Sequence, residues 1–158
     1  MNFFLDTEFL EQGHEHPLRL ISIALVAADG REYYAETGAV WPSDMSAWLR
    51  EHVVPKLVGA AAQKSREQIR EEIEAFVGYD SSPVFHGYFA DYDWVLFCQL
   101  WGSMIDLPRH FPQSCMDVRQ TALSKGRTRK DLPPDPKDAH NALADARWVR
   151  DAYARLGF

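Results

Sequence analysis

The chain has 158 residues, of which 46% are hydrophobic and 25% are charged, and its formal net charge is −6. We expect a single domain over residues 1–158, because a chain of this length can bury a core without disulfides or a structural metal. The negative charge argues against a polyanionic partner. Two divalent cations held by four of the carboxylates would offset most of that charge and would themselves bind phosphate, so nucleic acid is not excluded.

The first part of the chain predicts three strands. Residues 3–9 and 18–26 are apolar and rich in β-branched side chains, which is typical of strands rather than of a surface helix. Asp29-Gly30 is a common hairpin turn, and residues 31–36 after it predict a returning strand. Together these segments predict an antiparallel β-meander.

Two helices are predicted next. Residues 43–58 place apolar side chains at helical spacing, which Pro55 interrupts. The second helix begins after Ser65, which forms a capping box with Gln68, and it ends at Gly78.

Strands and helices alternate in the rest of the chain. The pattern predicts a strand over 83–89, a helix over 93–101, a short strand or turn, a helix over 118–123, and a polar loop over 126–138. A final helix follows, and Asp138 is its predicted cap. A meander followed by this alternation predicts an α/β protein with a mixed sheet flanked by helices, as in ribonuclease-H-like folds.

The cysteines predict no redox or metal site, and the hydropathy predicts no membrane-spanning segment. Cys98 and Cys115 lie far apart among apolar residues, so we predict neither a redox site nor a zinc site. No apolar run approaches the roughly 20 residues that span a bilayer, and residues 1–6 lack a basic signal-peptide region. We therefore expect a cytoplasmic protein.

Asp6-Thr7-Glu8 lies at the end of the first predicted strand. Side chains alternate along a strand, so both carboxylates should face one side, with Thr7 opposite. Two such charges repel unless a cation lies between them, which indicates a site for a hard metal ion. Chance gives about 0.8 Asp-x-Glu triplets in a chain of this composition, so a solvated strand end is the alternative.

His140 and Asp145 lie near the start of the last predicted helix. Small apolar neighbours around Asp145 would let this helix lie close to the sheet and leave the carboxylate nearly buried. Five helical residues separate two side chains by about 140°, so both reach one site only if His140 is at or before the first turn. The alternative is a locally hydrogen-bonded histidine and a solvated acid.

A third acid is expected from the middle of the chain, where Asp91 and Asp93 compete. Asp93 opens the apolar run 94–98, which places it near the sheet in the first helical turn. Asp91 is better placed as a helix cap. We therefore favour Asp93 for the site.

In chain order, Asp-x-Glu, an aromatic residue followed by Asp, and His-x4-Asp resemble the pattern of the DEDDh 3′-5′ exonucleases. The stretches DTEFLEQGH, LISIALVAADGREYYAE, YDWVLFCQLWG and DAHNALADAR resemble the small mycobacterial-type exoribonucleases related to RNase T, over nearly the whole chain. The resemblance implies release of nucleoside 5′-monophosphates from the 3′ end of single-stranded RNA or RNA 3′ overhangs. It also implies a homodimer.

The resemblance also implies roles for five residues. Asp6, Glu8, Asp93 and Asp145 would hold two Mg²⁺ or Mn²⁺ ions. His140 would act as the general base, since an imidazole titrates near neutral pH.

Other residues could contact the substrate. Phe9 and Leu10 follow the acid pair and could pack on the terminal base or sugar, or could be ordinary core side chains. The run Lys125–Lys130 contains four cations and could hold the RNA strand, or be a solvated loop. At position 89 the chain has Phe89, where many family members have asparagine.

Two rival functions remain open. A DNA proofreading or repair exonuclease would use the same acids, because the metals act on phosphate and the sugar must be recognised through its 2′-hydroxyl. A non-catalytic RNA-binding adaptor would keep the fold without the chemistry.

Overall fold

The computed structural model describes residues 1–38, 42–79 and 82–157. Its strands are β1 (Asn2–Leu10), β2 (Arg19–Ala27), β3 (Glu32–Glu36), β4 (Val84–Gly87) and β5 (Cys115–Asp117). Its α-helices are α1 (Ala47–His52), α2 (Arg66–Val77), α3 (Asp91–Gln99), α4 (Val118–Ser124) and α5 (Ala142–Arg155).

The five strands form one mixed sheet in the order β3-β2-β1-β4-β5. β1 and β3 both pair with β2 in the antiparallel direction, whereas β4 lies parallel to both β1 and β5. The meander and the mixed sheet flanked by helices predicted from the sequence are therefore confirmed. β1 is central, so its side chains project toward helices on both faces of the sheet.

Each face of the sheet buries its own core. Phe3 and Leu5 of β1 pack with residues of α2 and α3, including Ile73 and Phe97. On the opposite face Phe4 lies in a cluster with α5 residues that include Ala142 and Ala146, both fully buried, and with residues of α4. Small α5 side chains thus bring this helix close to β1, as the sequence predicts. The even-numbered residues of β1 up to Glu8 share the α5 face.

The boundaries of α2 agree with the capping residues predicted from the sequence. The capping box of Ser65 with Gln68 begins α2, and Gly78, at a φ of 78°, ends it. The segment predicted as one interrupted helix over 43–58 is instead α1 between short 3-10 turns, Pro42–Asp44 and Val54–Lys56. Pro55 lies in the second turn, where a ring without an N–H does not extend an α-helix.

Two predicted helix caps are wrong. Asp91 is the first residue of α3 rather than its cap, and the capping position is Ala90, whose N–H donates to the Asp117 carboxylate at 2.9 Å. The last helix is capped by Asn141 rather than by Asp138, since the Asn141 side chain accepts from Ala144 N at 3.1 Å. His140 consequently precedes the helix.

Within the described ranges, no helix combines the length and the apolar character needed to cross a membrane.

Candidate active site

The end of β1 forms the base of the site. Pairing between β1 and β4 covers Asn2 to Phe4, so the following residues of β1 extend past the end of β4. In this extension Thr7 N donates to Asp93 Oδ1 at 2.9 Å, and Thr7 Oγ1 donates to the same oxygen at 2.5 Å. An acid at the start of α3, on the opposite face from α5, is thereby fixed beside β1.

Three carboxylates meet on the α5 face of β1. One oxygen each of Asp6, Glu8 and Asp145 lies within 4.8 Å of the others. Asp6 and Glu8 reach this point through strand alternation, and Asp145 does so from the first turn of α5. Oxygen ligands at this spacing suit a hard divalent cation such as Mg²⁺ or Mn²⁺.

The mid-chain acid nearest this cluster is Asp93. Its side chain is buried, with 6% exposure, and it lines the same surface groove as the three clustered carboxylates, whereas Asp91 is exposed. Asp93 also lies close enough for its charge to raise the pKa of Asp6 and of Glu8. The structure therefore brings Asp93, and not Asp91, to the predicted site.

Without a metal, the carboxylates strongly disfavour one another's charged forms. Burial, together with the charges of Asp93, Asp145 and Glu8, raises the pKa of Asp6 well above its ordinary value. Burial and neighbouring carboxylates raise the pKa of Glu8 to about 8, and burial raises that of Asp93 to about 6. Burial also raises the pKa of Asp145. A bound cation would relieve this repulsion, so the donor set fits divalent metal ions.

His140 reaches the cluster because the chain turns sharply before α5. Its φ is 67°, in the left-handed region that a residue with a side chain rarely adopts. Its backbone N–H donates to Asp145 Oδ2 at 2.7 Å, and its ring contacts Trp48 edge-on with 4.8 Å between centroids. Such strained residues are found at sites where surrounding contacts hold them.

The acids and His140 open into a groove of about 450 Å³. Five aromatic side chains line it: Phe9, Trp48, Tyr88, Phe89 and Tyr92. Phe89 is 64% exposed and has a φ of 57°, so an aromatic side chain is presented to solvent from a strained turn. A second depression of about 380 Å³ shares Asp6 and His140 with the groove and has Trp148 among its other lining residues.

The two side chains predicted to touch substrate lie in different places. Phe9 lines the groove and contacts Tyr92 with 5.4 Å between ring centroids. Leu10 instead is 2% exposed and packs with Ile21 and Leu49. The structure therefore corrects the prediction for Leu10 and supports its alternative, a core side chain.

The basic run Lys125–Lys130 is largely committed to intramolecular contacts. Lys125 Nζ donates to Leu156 O at 3.1 Å, and Arg127 lies 3.8 Å from Asp131. Arg129 pairs with Asp135 and lies over the Trp148 ring, 4.8 Å from its centroid. Arg129 and Lys125 thus hold this loop against α5 and its C-terminal end, and Arg127 is paired within the loop, which favours a structural role over a grip on RNA.

Comparison with known proteins identifies the family. A family model described as the 3′-5′ exoribonuclease Rv2179c-like domain matches residues 1–156. The chain belongs to this family. It is 44% identical over 151 residues to the 3′-5′ exoribonuclease Rv2179c of Mycobacterium tuberculosis strain H37Rv, a match covering 93% of this chain and 88% of the relative. The family resemblance inferred from the sequence is confirmed.

Solved structures share the fold at low sequence identity. A structure of exonuclease I superposes with a TM-score of 0.65 at 15% identity, over 98% of this chain and 40% of the other. Cell-death related nuclease 4 gives a TM-score of 0.58 at 11% identity, over 98% of this chain and 62% of the other. This family member therefore spans less than two thirds of either neighbour, and both neighbours show its ribonuclease-H-like architecture.

Two residues beside the acids were missed by the sequence interpretation. Trp48 lines the groove and the charge of Lys56 lies near Glu8 and Asp145, but neither residue is part of a motif, and their positions depend on how α1 and the turn after it pack. For Phe89 a signal did exist, namely its departure from the family's asparagine.

Proposed function

We propose that this chain is a metal-dependent 3′-5′ exoribonuclease that acts on single-stranded RNA or RNA 3′ overhangs. It would release nucleoside 5′-monophosphates one at a time. The main support is the cluster of Asp6, Glu8 and Asp145 at the base of an open groove, with Asp93 and His140 beside it. Family membership and a relative named 3′-5′ exoribonuclease support RNA as the polymer.

Each carboxylate has a place in the metal site we propose. Glu8 and Asp145 would hold one ion together with Asp6, and Asp93 would help Asp6 hold a second. When bound, the two divalent ions supply Lewis acidity for the attacking water and for the leaving 3′-oxygen. Thr7 orients Asp93 for this role through two hydrogen bonds to one carboxylate oxygen, so the other oxygen is left for a ligand.

His140 would accept a proton from the attacking water. Its ring is packed against Trp48 at the wall of the groove, and its backbone is bonded to Asp145. A base fixed in this way is held in place before substrate binds, which is the condition for efficient proton transfer.

The aromatic residues around the groove would bind the terminal nucleotide by stacking. Phe9 and Tyr92 form one contacting pair there, and Phe89 is exposed beside them. Stacking contributes about 1–3 kcal/mol per base and requires an unpaired base, so it selects a single strand. A homodimer, as the family resemblance implies, remains a prediction.

The test uses RNA and DNA of matched sequence, each with a single-stranded 3′ overhang and a 5′ label. With Mn²⁺ or Mg²⁺ we expect the RNA to shorten in single-nucleotide steps, and we expect EDTA to stop the reaction. Equal or faster degradation of the DNA would favour a DNA exonuclease. A complete lack of degradation, with RNA still bound, would favour the non-catalytic adaptor.

A second substrate tests direction. An RNA whose 3′ end carries a bulky blocking group should resist degradation, because the groove takes a free terminus. Internal cleavage of the blocked RNA would contradict the exonuclease proposal.

A further inference from the structure

One lysine is bonded on both sides of His140. The Lys56 ammonium donates to the carbonyl of Ala139, and the Lys56 carbonyl accepts from Asn141 Nδ2 at 3.2 Å. Lys56 is 83 positions away from Ala139 in the chain, so the two bonds connect separate parts of the fold. The left-handed turn at His140 is thereby bracketed by contacts to a single residue.

Lys56 is itself attached to the sheet. The carboxylate of Glu36, at the end of β3 and 2% exposed, accepts from Val58 N at 2.6 Å and from Gly59 N at 3.0 Å. Tyr34 Oη donates to the same carboxylate at 2.8 Å. The turn that contains Lys56 is therefore fixed relative to β3, and so relative to β1 and its acids.

The imidazole of His140 is contacted by α1, the helix that precedes the Lys56 turn. Trp48 of α1 touches it edge-on, and His52 stacks on Trp48 with 4.8 Å between centroids and 11° between planes. α1 and the Lys56 turn are consecutive in the chain. One segment, residues 46–59, thus contacts both the backbone flanking His140 and its ring.

We propose that Lys56 is a positioning residue for His140: it holds residues 139–141 in the turn that places the imidazole at the groove. This inference rests on the proposed function, in which His140 takes up the proton of the attacking water. A non-glycine residue keeps a left-handed conformation where surrounding contacts hold it, and the two Lys56 bonds are such contacts. Nothing in the family motif includes Lys56.

Lys56 has one competing role, since its ammonium also lies near the acids and lowers the pKa of Glu8 and of Asp145. Its charge could therefore act on a bound phosphate or on metal affinity instead of on His140. The two roles differ in what they change: a positioning role affects turnover through His140 alone, whereas a charge role affects metal or substrate binding.

The test begins with Lys56→Met and Lys56→Arg in the full chain. Misplacement of a catalytic group by about 1 Å costs about 100-fold in rate, so we expect Lys56→Met to lower kcat by about that factor with KM nearly unchanged. Lys56→Arg, which keeps a charged donor, should recover most of the rate. Lys137→Met is the matched control, because Lys137 is exposed on the loop before His140, and it should match the wild type.

A double-mutant cycle with His140→Ala distinguishes the roles. If Lys56 acts through His140, adding Lys56→Met to His140→Ala should cause no further loss of kcat, and Mn²⁺ affinity should not weaken. An equal loss in both backgrounds, a raised KM, or wild-type activity of Lys56→Met would overturn the inference. If His140→Ala alone leaves kcat unchanged, the proposed role of His140 fails instead. Should Lys56→Met not fold, Lys56→Gln takes its place in the cycle.

Discussion

Thr7 donates two hydrogen bonds to one oxygen of Asp93, from its backbone N–H and from its hydroxyl, across 86 positions of the chain. Thr7, which lies between Asp6 and Glu8 in β1, thus fixes the position of Asp93. These bonds also lower the pKa of Asp93 and partly oppose the effect of its burial. One buried threonine therefore links the two faces of the sheet at the site.

Thr7→Val tests this link. The variant keeps the shape and the backbone bond but loses the hydroxyl bond to a charged group, which is worth about 1.5–3 kcal/mol. We expect kcat to fall about tenfold or more as Asp93 becomes less well oriented. Thr121→Val is the control, because Thr121 also loses one hydroxyl bond, to the carbonyl of Asp117. Equal activity of both variants would show that the Thr7 bond has no functional weight.

Asp93→Asn and Asp91→Asn form a second pair. Asp93 is buried beside the acids, so its loss should lower the rate by orders of magnitude. Asp91 makes no side-chain cap and is exposed in the first turn of α3, so its loss should cost at most about 1 kcal/mol of stability through the helix dipole. Steady-state rates and thermal melts check both. A larger rate loss at Asp91 would mean that the wrong aspartate has been assigned.

The metal-free protein should lose stability as the pH rises. The pKa of Glu8 is raised to about 8 and that of Asp93 to about 6, whereas unfolded Glu and Asp titrate near about 4.3 and 3.9. Between the unfolded and the folded pKa, Glu8 and Asp93 each hold more proton in the folded state, so these two groups lower the free energy of unfolding as pH increases from about 4 to about 8. Above about pH 6.5 the buried His86, whose pKa is lowered to about 4, no longer opposes them.

Urea melts of the metal-free protein across this range check the slope. Saturating Mg²⁺ should abolish the decline at the upper end, because a cation replaces the protons. Stability that rises from about pH 6.5 to about pH 8 in the absence of metal would contradict the charge arrangement derived for the site.

Phe9 and Leu10 should respond differently to truncation. Phe9→Ala should raise KM for RNA and cost less stability than Leu10→Ala, because the ring lines the groove and is only partly buried against the core. Leu10→Ala should cost about 2–5 kcal/mol of stability, because it empties a packed position. Urea melts and steady-state kinetics separate the two effects. A raised KM in a stable Leu10→Ala protein would restore Leu10 to the substrate contacts.

The sequence predicted features that depend on neighbouring residues. The common face of Asp6 and Glu8 follows from strand alternation, and the start of α2 follows from one unambiguous capping box. The choice of Asp93 over Asp91 followed from the apolar run after it. In each case the deciding chemistry lies within a few residues.

Features that depend on distant packing were not predicted. Asp138 and Asn141 are both good caps, and it is the contact of Asn141 with Lys56 and with the start of α5 that decides between them. Leu10 follows a register shift in β1 after Glu8, which places it against Ile21 and Leu49 in the core. No local pattern reports either contact.

A Mn²⁺ titration followed by electron paramagnetic resonance tests directly whether the carboxylates bind divalent metal for catalysis. With the wild type at neutral pH and a nucleoside monophosphate present, we expect two ions per chain. Asp6→Asn should bind far less Mn²⁺ and lose hydrolysis, while its metal-free form melts at or above the wild-type temperature because a neutral amide replaces a buried carboxyl whose ionisation is unfavourable. Undiminished Mn²⁺ binding by Asp6→Asn, or hydrolysis retained by it, would contradict metal-dependent catalysis at these carboxylates.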